Sequence, residues 1–524
     1  MDFSNPLVFL LSIAALLAIV ALLILLIVFL VRPSSRRDAF RIAVPLYLRG
    51  GRNKKHHVFL GISEHSKLMA AQILQELKQQ QKKKDRGSIL FVNLAPSFIN
   101  TAERKLREEL GSDKITVLSG MPPQPNEHSL ARAIGLEKLQ PWLSNPRTSL
   151  YLFSDKREEN SVMLSISTDD STIKAKVFYY TPEPGGFESL LTVMGARIRA
   201  LNPHQMSFMQ LKLNAPQLLP VHFVKRADNA DGTSLGYVED GLHALVVGFG
   251  SSGQEAVRFL YEYGSFVGKD RRRAPMSISV YDPQMESKLG SFLQAAPALK
   301  GDPVFQWHAQ SAGSVSFWED FEKDQTVNYI IIAMDDGPAN LQLGISMLQT
   351  AARIGRDLSK MVILVRYWKE SRKSREIISF YNAAYCPEGA EVLHGFGNTR
   401  DIWNTDVISG KKLKKAAQSF YENQEASGED ETWEERKKRL SQPGADHLKN
   451  RMELQRRQAA DISRALYAPT LQVLIPDGKE ESLKGYRAAQ EQLHAACTLV
   501  IDGYTPGPAD ELCKRLPDLV LPQE

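Results

Sequence analysis

Hydrophobic and polar positions divide the chain into three kinds of stretch. Leu7 to Val31 reads LVFLLSIAALLAIVALLILLIVFLV, with no charged residue. At 1.5 Å per residue such a run reaches about 37 Å, so it predicts a transmembrane helix, and no second run approaches its length. A cleaved leader fits less well, because MDFSNP carries no Lys or Arg and no small-residue cleavage site follows. Beyond it the pattern becomes short apolar runs alternating with helical periods. HHVFL ends at Gly61, then EHSKLMAAQILQELKQQQ places Leu68, Ile73, Leu74 and Leu77 at helical spacing. SILFVNL over Ser88–Leu94 and SLYLF before a polar turn supply further strands. Strand, helix and strand in this order predict a βαβ unit with parallel pairing.

The same alternation restarts at HALVVGFGSSGQEAVRFLYEYG and continues through SISVYDP, YIIIAMDDGPAN and MVILVRY. The halves echo one another. Gly61 and Gly248 end matching apolar runs 187 positions apart, and Asp155/Asn160 recur as Asp335/Asn340 at a distance of 180. The expected fold class is therefore α/β: one N-terminal transmembrane helix, two tandem Rossmann-like parallel-sheet domains, and a small mainly helical C-terminal domain. The boundaries fall at 1–32 for the span, 33–55 for a basic linker, 56–235 and 236–410 for the two Rossmann-like domains, and 411–524 for the charged helical region.

Charge refines the first segment and excludes a class of partner. The net charge is +5, yet eight basic residues from Arg32 to Lys55 face only Asp2 and Asp38. The body that follows is close to neutral, unlike a nucleic-acid binder with a basic face. By the positive-inside rule, the same asymmetry predicts a single-pass inner-membrane protein with the N-terminus outside and the body cytoplasmic. The linker would then lie against the lipid bilayer. Three cysteines, Cys386, Cys497 and Cys513, make neither a disulfide framework nor a metal-ligand spacing.

The candidate chemistry lies in the second half. Gly248-Phe249-Gly250-Ser251-Ser252-Gly253 stands between a strand and a helix, where each glycine has a task. Gly248 permits the tight turn, Gly250 lets a pyrophosphate approach the backbone, and Gly253 lets helix and strand pack closely. Ser252 belongs to the same phosphate loop. Asp282, at the end of the next strand and 29 residues beyond Gly253, is placed for ribose hydroxyls. Asp335 follows the strand YIIIAM, at the edge where open α/β sheets bind ligands, although Asp335 or Asp336 could equally cap the next helix. Arg271–Arg273 could meet a phosphate or form a solvated loop. The first half has ISEHSK in place of the fingerprint, so Ser63, Glu64 and His65 offer only a degenerate version. No catalytic residue set and no metal-ligand cluster stands out, and an enzyme is the less favoured reading.

HALVVGFGSSGQEAVRFL, SISVYDP and YIIIAMDDGPANLQL together resemble the TrkA-N (RCK/KTN) domains that regulate potassium transport. The resemblance covers roughly residues 241–367. It implies that Gly248, Gly250, Gly253 and Asp282, with Asp335, hold NAD(H) or another adenine nucleotide, and that the domain assembles into homo-oligomers. The tail segments RRQAADISRAL and AAQEQLHAACTLVIDGYTPG resemble ryanodine-receptor-type (RyR) domains. The expected function is a membrane-anchored nucleotide sensor controlling ion transport or permeability, with a membrane transporter or channel as its expected partner. A tethered NAD(P)-dependent oxidoreductase and a nucleotide-activated defence effector are the alternatives.

Overall fold

A computed structural model describes residues 55–79, 88–94, 99–111, 115–182, 198–367, 371–403, 447–476 and 482–502, with a few single positions between and before them. The structure is α/β and divides into two compact units, Met1–Tyr180 with Arg197–Arg199, and Thr181–Ala196 with Ala200–Glu524.

The first unit carries β1 (His56–Leu60), α1 (Glu64–Gln79), β2 (Ser88–Asn93), α2 (Ile99–Leu110), β3 (Ile115–Ser119), β4 (Thr148–Leu152), α3 (Arg157–Asp169), β5 (Lys176–Tyr180) and the first two residues of the edge strand β6 (Ile198–Leu201). Its sheet order is β3-β2-β1-β4-β5-β6. Parallel register sets Val58 of β1 opposite both Leu90 and Leu150. Val58, Phe59, Leu60, Phe91 and Leu152 are completely buried, as expected where helices cover both faces of a parallel sheet.

The second unit opens with α4 (Pro203–Asn214) and an antiparallel hairpin of β7 (Lys225–Asp228) and β8 (Ser234–Asp240). It continues with β9 (His243–Val247), α5 (Ser251–Tyr263), β10 (Ser277–Tyr281), α6 (Met285–Ala295), β11 (Phe305–His308), α7 (Val315–Lys323), β12 (Tyr329–Ile332), α8 (Gly337–Arg353), β13 (Val362–Arg366), α9 (Arg372–Tyr385) and β14 (Leu393–Phe396). The order β11-β10-β9-β12-β13-β14 repeats that of the first sheet, and all its pairings are parallel. The order reverses beside the central strand, between β9 and β12, where such sheets hold ligands. Alternate side chains divide cleanly between the two faces. Ala244, Val246, Ile331 and Leu364 enter one core; Leu245, Val247, Ile330 and Val365 enter the other.

Two C-terminal helices, α10 (His447–Leu474) and α11 (Lys484–Asp502), complete this unit. Tyr467, Leu471, Leu493 and Val500 belong to the same core as α5 and the face of the sheet beneath it. Gln490 secures the contact: its side chain accepts from the Val267 N–H at 2.9 Å and donates to the Ser265 carbonyl at 2.9 Å.

The expected membrane placement is corrected. Among the described residues no helix is long and apolar enough to cross a membrane, which overturns a single-pass inner-membrane location with the N-terminus outside. The longest described helix shows the reason, since α10 carries Lys449, Arg451, Glu453, Arg456, Arg457, Asp461 and Arg464 along its length. Leu7–Val31, apart from Val20, lies outside the described residues, as do most of the basic linker and most of the charged stretch after Lys411.

Candidate functional site

The turn between β9 and α5 is built as its three glycines require. Gly248 has φ +90°, and a Cβ there would lie 2.9 Å from the Met334 backbone nitrogen. Only glycine relieves both constraints. A Cβ on Gly253 would lie 1.9 Å from the Gly248 carbonyl oxygen, so the first turn of α5 sits directly on the loop. Gly250 differs. It is the N-cap residue in extended backbone, and the nearest atom to a Cβ there is the Asp335 Oδ1, at 3.7 Å. Open space therefore faces the middle glycine. The N-cap residue is a glycine and brings no side-chain cap of its own, and the positive dipole end of α5 is directed at that space.

Asp282 lies beside the loop, buried at the end of β10. Its Oδ2 accepts the Phe249 N–H at 2.7 Å and meets the Lys288 Nζ at 2.9 Å, while Oδ1 accepts the Gln284 N–H at 2.7 Å. Burial alone would raise this carboxyl; the Lys288 bond and the two backbone donors outweigh it and hold it below the usual range. Asp282 thus ties the glycine loop to the neighbouring strand, and Lys288 on α6 places an ammonium beside it. Lys288 has no fixed spacing to the fingerprint, so sequence alone did not mark it.

Ser252 is buried beneath the loop. Its hydroxyl meets His204 Nδ1 of α4 at 2.7 Å and accepts from Arg366 Nε at 3.4 Å. Neither partner was legible in the sequence, because they come from elements 48 and 114 positions away. The two consecutive aspartates separate. Asp336 is the N-cap of α8 and accepts from the Ala339 N–H at 3.2 Å, whereas Asp335 is exposed and borders the space before Gly250. Of Arg271–Arg273, Arg272 is exposed, while the other two contact protein groups. Arg273 is buried against Asp302 at 3.3 Å, and the Arg271 guanidinium lies 5.5 Å from the Tyr486 ring centroid.

The equivalent turn of the first unit shows what was lost there. Gly61 has φ +105°, and its Cβ would lie 2.6 Å from the Ser154 backbone, the counterpart of Met334. Asn160 exchanges bonds with the Ser154 N–H and carbonyl, both at 2.8 Å, as Asn340 does with Met334 at 3.1 and 2.9 Å. The architecture is thus repeated. The helix start is not, because Ser63 and Ser66 bond each other's backbone N–H at 2.8 and 3.1 Å. Glu64 sits in the first turn, and Asp155 is raised by burial and then by its acidic neighbours Glu64 and Glu159. His65 stacks on Tyr180 at 4.7 Å. A closed, acidic helix start disfavours a phosphate.

No family model matches the chain, and no curated protein matches it. Among solved structures, the GsuK channel is 13% identical over 71% of this chain and 70% of its own, with a TM-score of 0.40. A point mutant of GsuK is 13% identical over 78% and 85%, with a TM-score of 0.36. Anabaena HepE, solved with UDP and glucose, is 9% identical over 68% and 91%, with a TM-score of 0.18. None reaches 0.5, so the functional reading rests on the residues described above.

Proposed function

We propose that the chain is a nucleotide-sensing regulatory protein whose second unit binds NAD(H) or another adenine nucleotide at Gly248–Gly253. The observation that carries this reading is the contrast among the glycines. Gly248 and Gly253 are required by contacts within the protein, but the side of Gly250 where a Cβ would stand faces open space at the start of α5. Backbone N–H groups and the dipole end there suit phosphate oxygens. Asp282, fixed at the end of β10, and exposed Asp335 complete the expected site. The regulated event is proposed to be ion transport, potassium in particular, with a homo-oligomer acting on a transporter or channel. The resemblance to TrkA-N domains supports that finer reading.

Calorimetry on the full chain with NAD(H), ATP and ADP is the test. Gly250→Val has room to fold, because its Cβ makes only an ordinary contact with Asp335, yet it fills the space a pyrophosphate needs. Nucleotide affinity is expected to fall at least about a hundredfold, roughly the loss of two good charge-assisted hydrogen bonds. A wild-type chain that binds none of these nucleotides would make the glycines purely architectural.

A further inference from the structure

Arg366 ends β13, and its side chain is 1% exposed. Burying a cation is costly unless the surroundings answer it. Here Nη1 donates to the carbonyl oxygens of Tyr367, at 2.9 Å, and Gly397. Nε donates to Ser252 Oγ at 3.4 Å, and the guanidinium stands 5.9 Å from the Phe396 ring centroid. The chain makes room for this arrangement: Gly397 has φ +72°, and a Cβ there would lie 2.0 Å from Nη1. The backbone of Arg366 is fixed as well, since its carbonyl accepts from Asn340 Nδ2 at 2.9 Å.

The position matters more than the burial. Ser252 is the second residue of α5, in the turn whose N–H groups face the open space before Gly250. We propose that Arg366 is a positioning residue of the nucleotide site: its guanidinium holds the first turn of α5 from behind and supplies a positive charge that stabilises bound phosphate. His204, on the other side of Ser252 at 2.7 Å, keeps that hydroxyl in place. Burial draws the Arg366 guanidinium down to about 9, so a phosphate anion nearby stabilises a charge that the protein alone holds less firmly. An anion at the helix start and the cation beneath it then favour one another, across surroundings less polar than water.

This inference rests on the nucleotide reading above, and the experiment separates the two. Full-chain protein is titrated with ADP and with adenosine, which carries no phosphate, for wild type, Arg366→Met and Arg366→Lys. Thermal melting of each protein without ligand establishes folding. Arg366→Met is expected to weaken ADP about tenfold and adenosine less than about twofold, the weight of one charge interaction at an effective dielectric near 20. Arg366→Lys keeps the charge but not the fork, and is expected to retain most of the preference, with ADP weakened only about threefold. A merely structural role would weaken both ligands equally or neither, and either result overturns the proposal. If the Met variant does not fold, Arg366→Gln, which is neutral but keeps hydrogen-bond donors for Ser252 and the two carbonyls, takes its place with the same expectation, and equal weakening of both ligands or of neither overturns the proposal. A wild-type chain that binds no ADP removes the nucleotide reading itself, and this inference with it.

Discussion

Gly253 and Gly250 are three residues apart and have opposite tolerances, because one faces protein and the other faces space. Gly253→Ala would drive a Cβ into the Gly248 carbonyl at 1.9 Å, a backbone atom that cannot swing aside. The expected cost is about 3 kcal/mol or more, read as a lower urea midpoint of the second unit, whereas Gly250→Val should leave that midpoint nearly unchanged. Equal losses in the two variants would show that Gly250 is as constrained as its neighbour. Asp282 follows similar logic. Asp282→Asn keeps one acceptor for the Phe249 N–H but leaves Lys288 without its carboxylate. Spacing alone placed this acid at the site; it could not show that its oxygens already serve Phe249, Gln284 and Lys288.

At the scale of elements, a buried asparagine fastens the strand end to the following helix in each unit. Asn340 bonds both backbone groups of Met334 and the carbonyl of Arg366, so it joins the carboxyl ends of β12 and β13. Asn160 makes the equivalent pair of bonds to Ser154. Asn340→Ala would strand buried backbone groups of two strands, and about 2–4 kcal/mol of stability should be lost. Hydrogen exchange at β12 and β13 measures it, and unchanged protection would show that water replaces the amide without cost. The 180-residue echo of aspartate and asparagine was legible in the sequence, as were the strand runs and glycine turns, because periodicity and φ requirements are local. What the sequence did not disclose is tertiary. Ser252 is drawn inward by His204 and Arg366, Asp336 takes the cap while Asp335 stays open, and Arg273 turns to Asp302. Each outcome depends on which element packs alongside, information absent from a window of neighbouring residues.

At the scale of the whole molecule, each unit holds a histidine whose pKa is lowered, and the two should give the chain a shared sensitivity to acid. His57 of β1 is lowered to about 3 by burial, with His56 and Lys55 adding to the effect, and its Nδ1 meets the Tyr151 hydroxyl at 3.1 Å. His494 of α11 is lowered by burial too; Lys212 and Arg464 push the same way, while Glu262 opposes. It stacks on Tyr467 at 3.8 Å and lies 3.5 Å from the Glu262 Oε1, where α10 and α11 meet α5. A histidine with a depressed folded pKa binds fewer protons folded than unfolded. Its contribution is therefore present above the unfolded value near 6.5 and is lost as pH falls through the interval below it. The slope is at most about 1.4 kcal/mol per pH unit for each histidine. Glu262 acts in the same direction at lower pH. Burial would raise it, but Lys212 and His494 outweigh that and hold it below the ordinary range, so its contribution is lost once the unfolded carboxyl begins to protonate near 4.3. Because two units need not unfold together, hydrogen exchange resolved by peptide is the appropriate measurement. Protection of β1–β4 and of β9–β13 should be level from pH 8 to 7 and then decline below about 6.5, after correction for intrinsic exchange. His57→Gln should flatten the decline in the first sheet alone, and His494→Gln in the second alone. A decline unchanged in both variants would assign the acid sensitivity to other groups, and a decline flattened in both sheets by either variant would show that the units unfold as one.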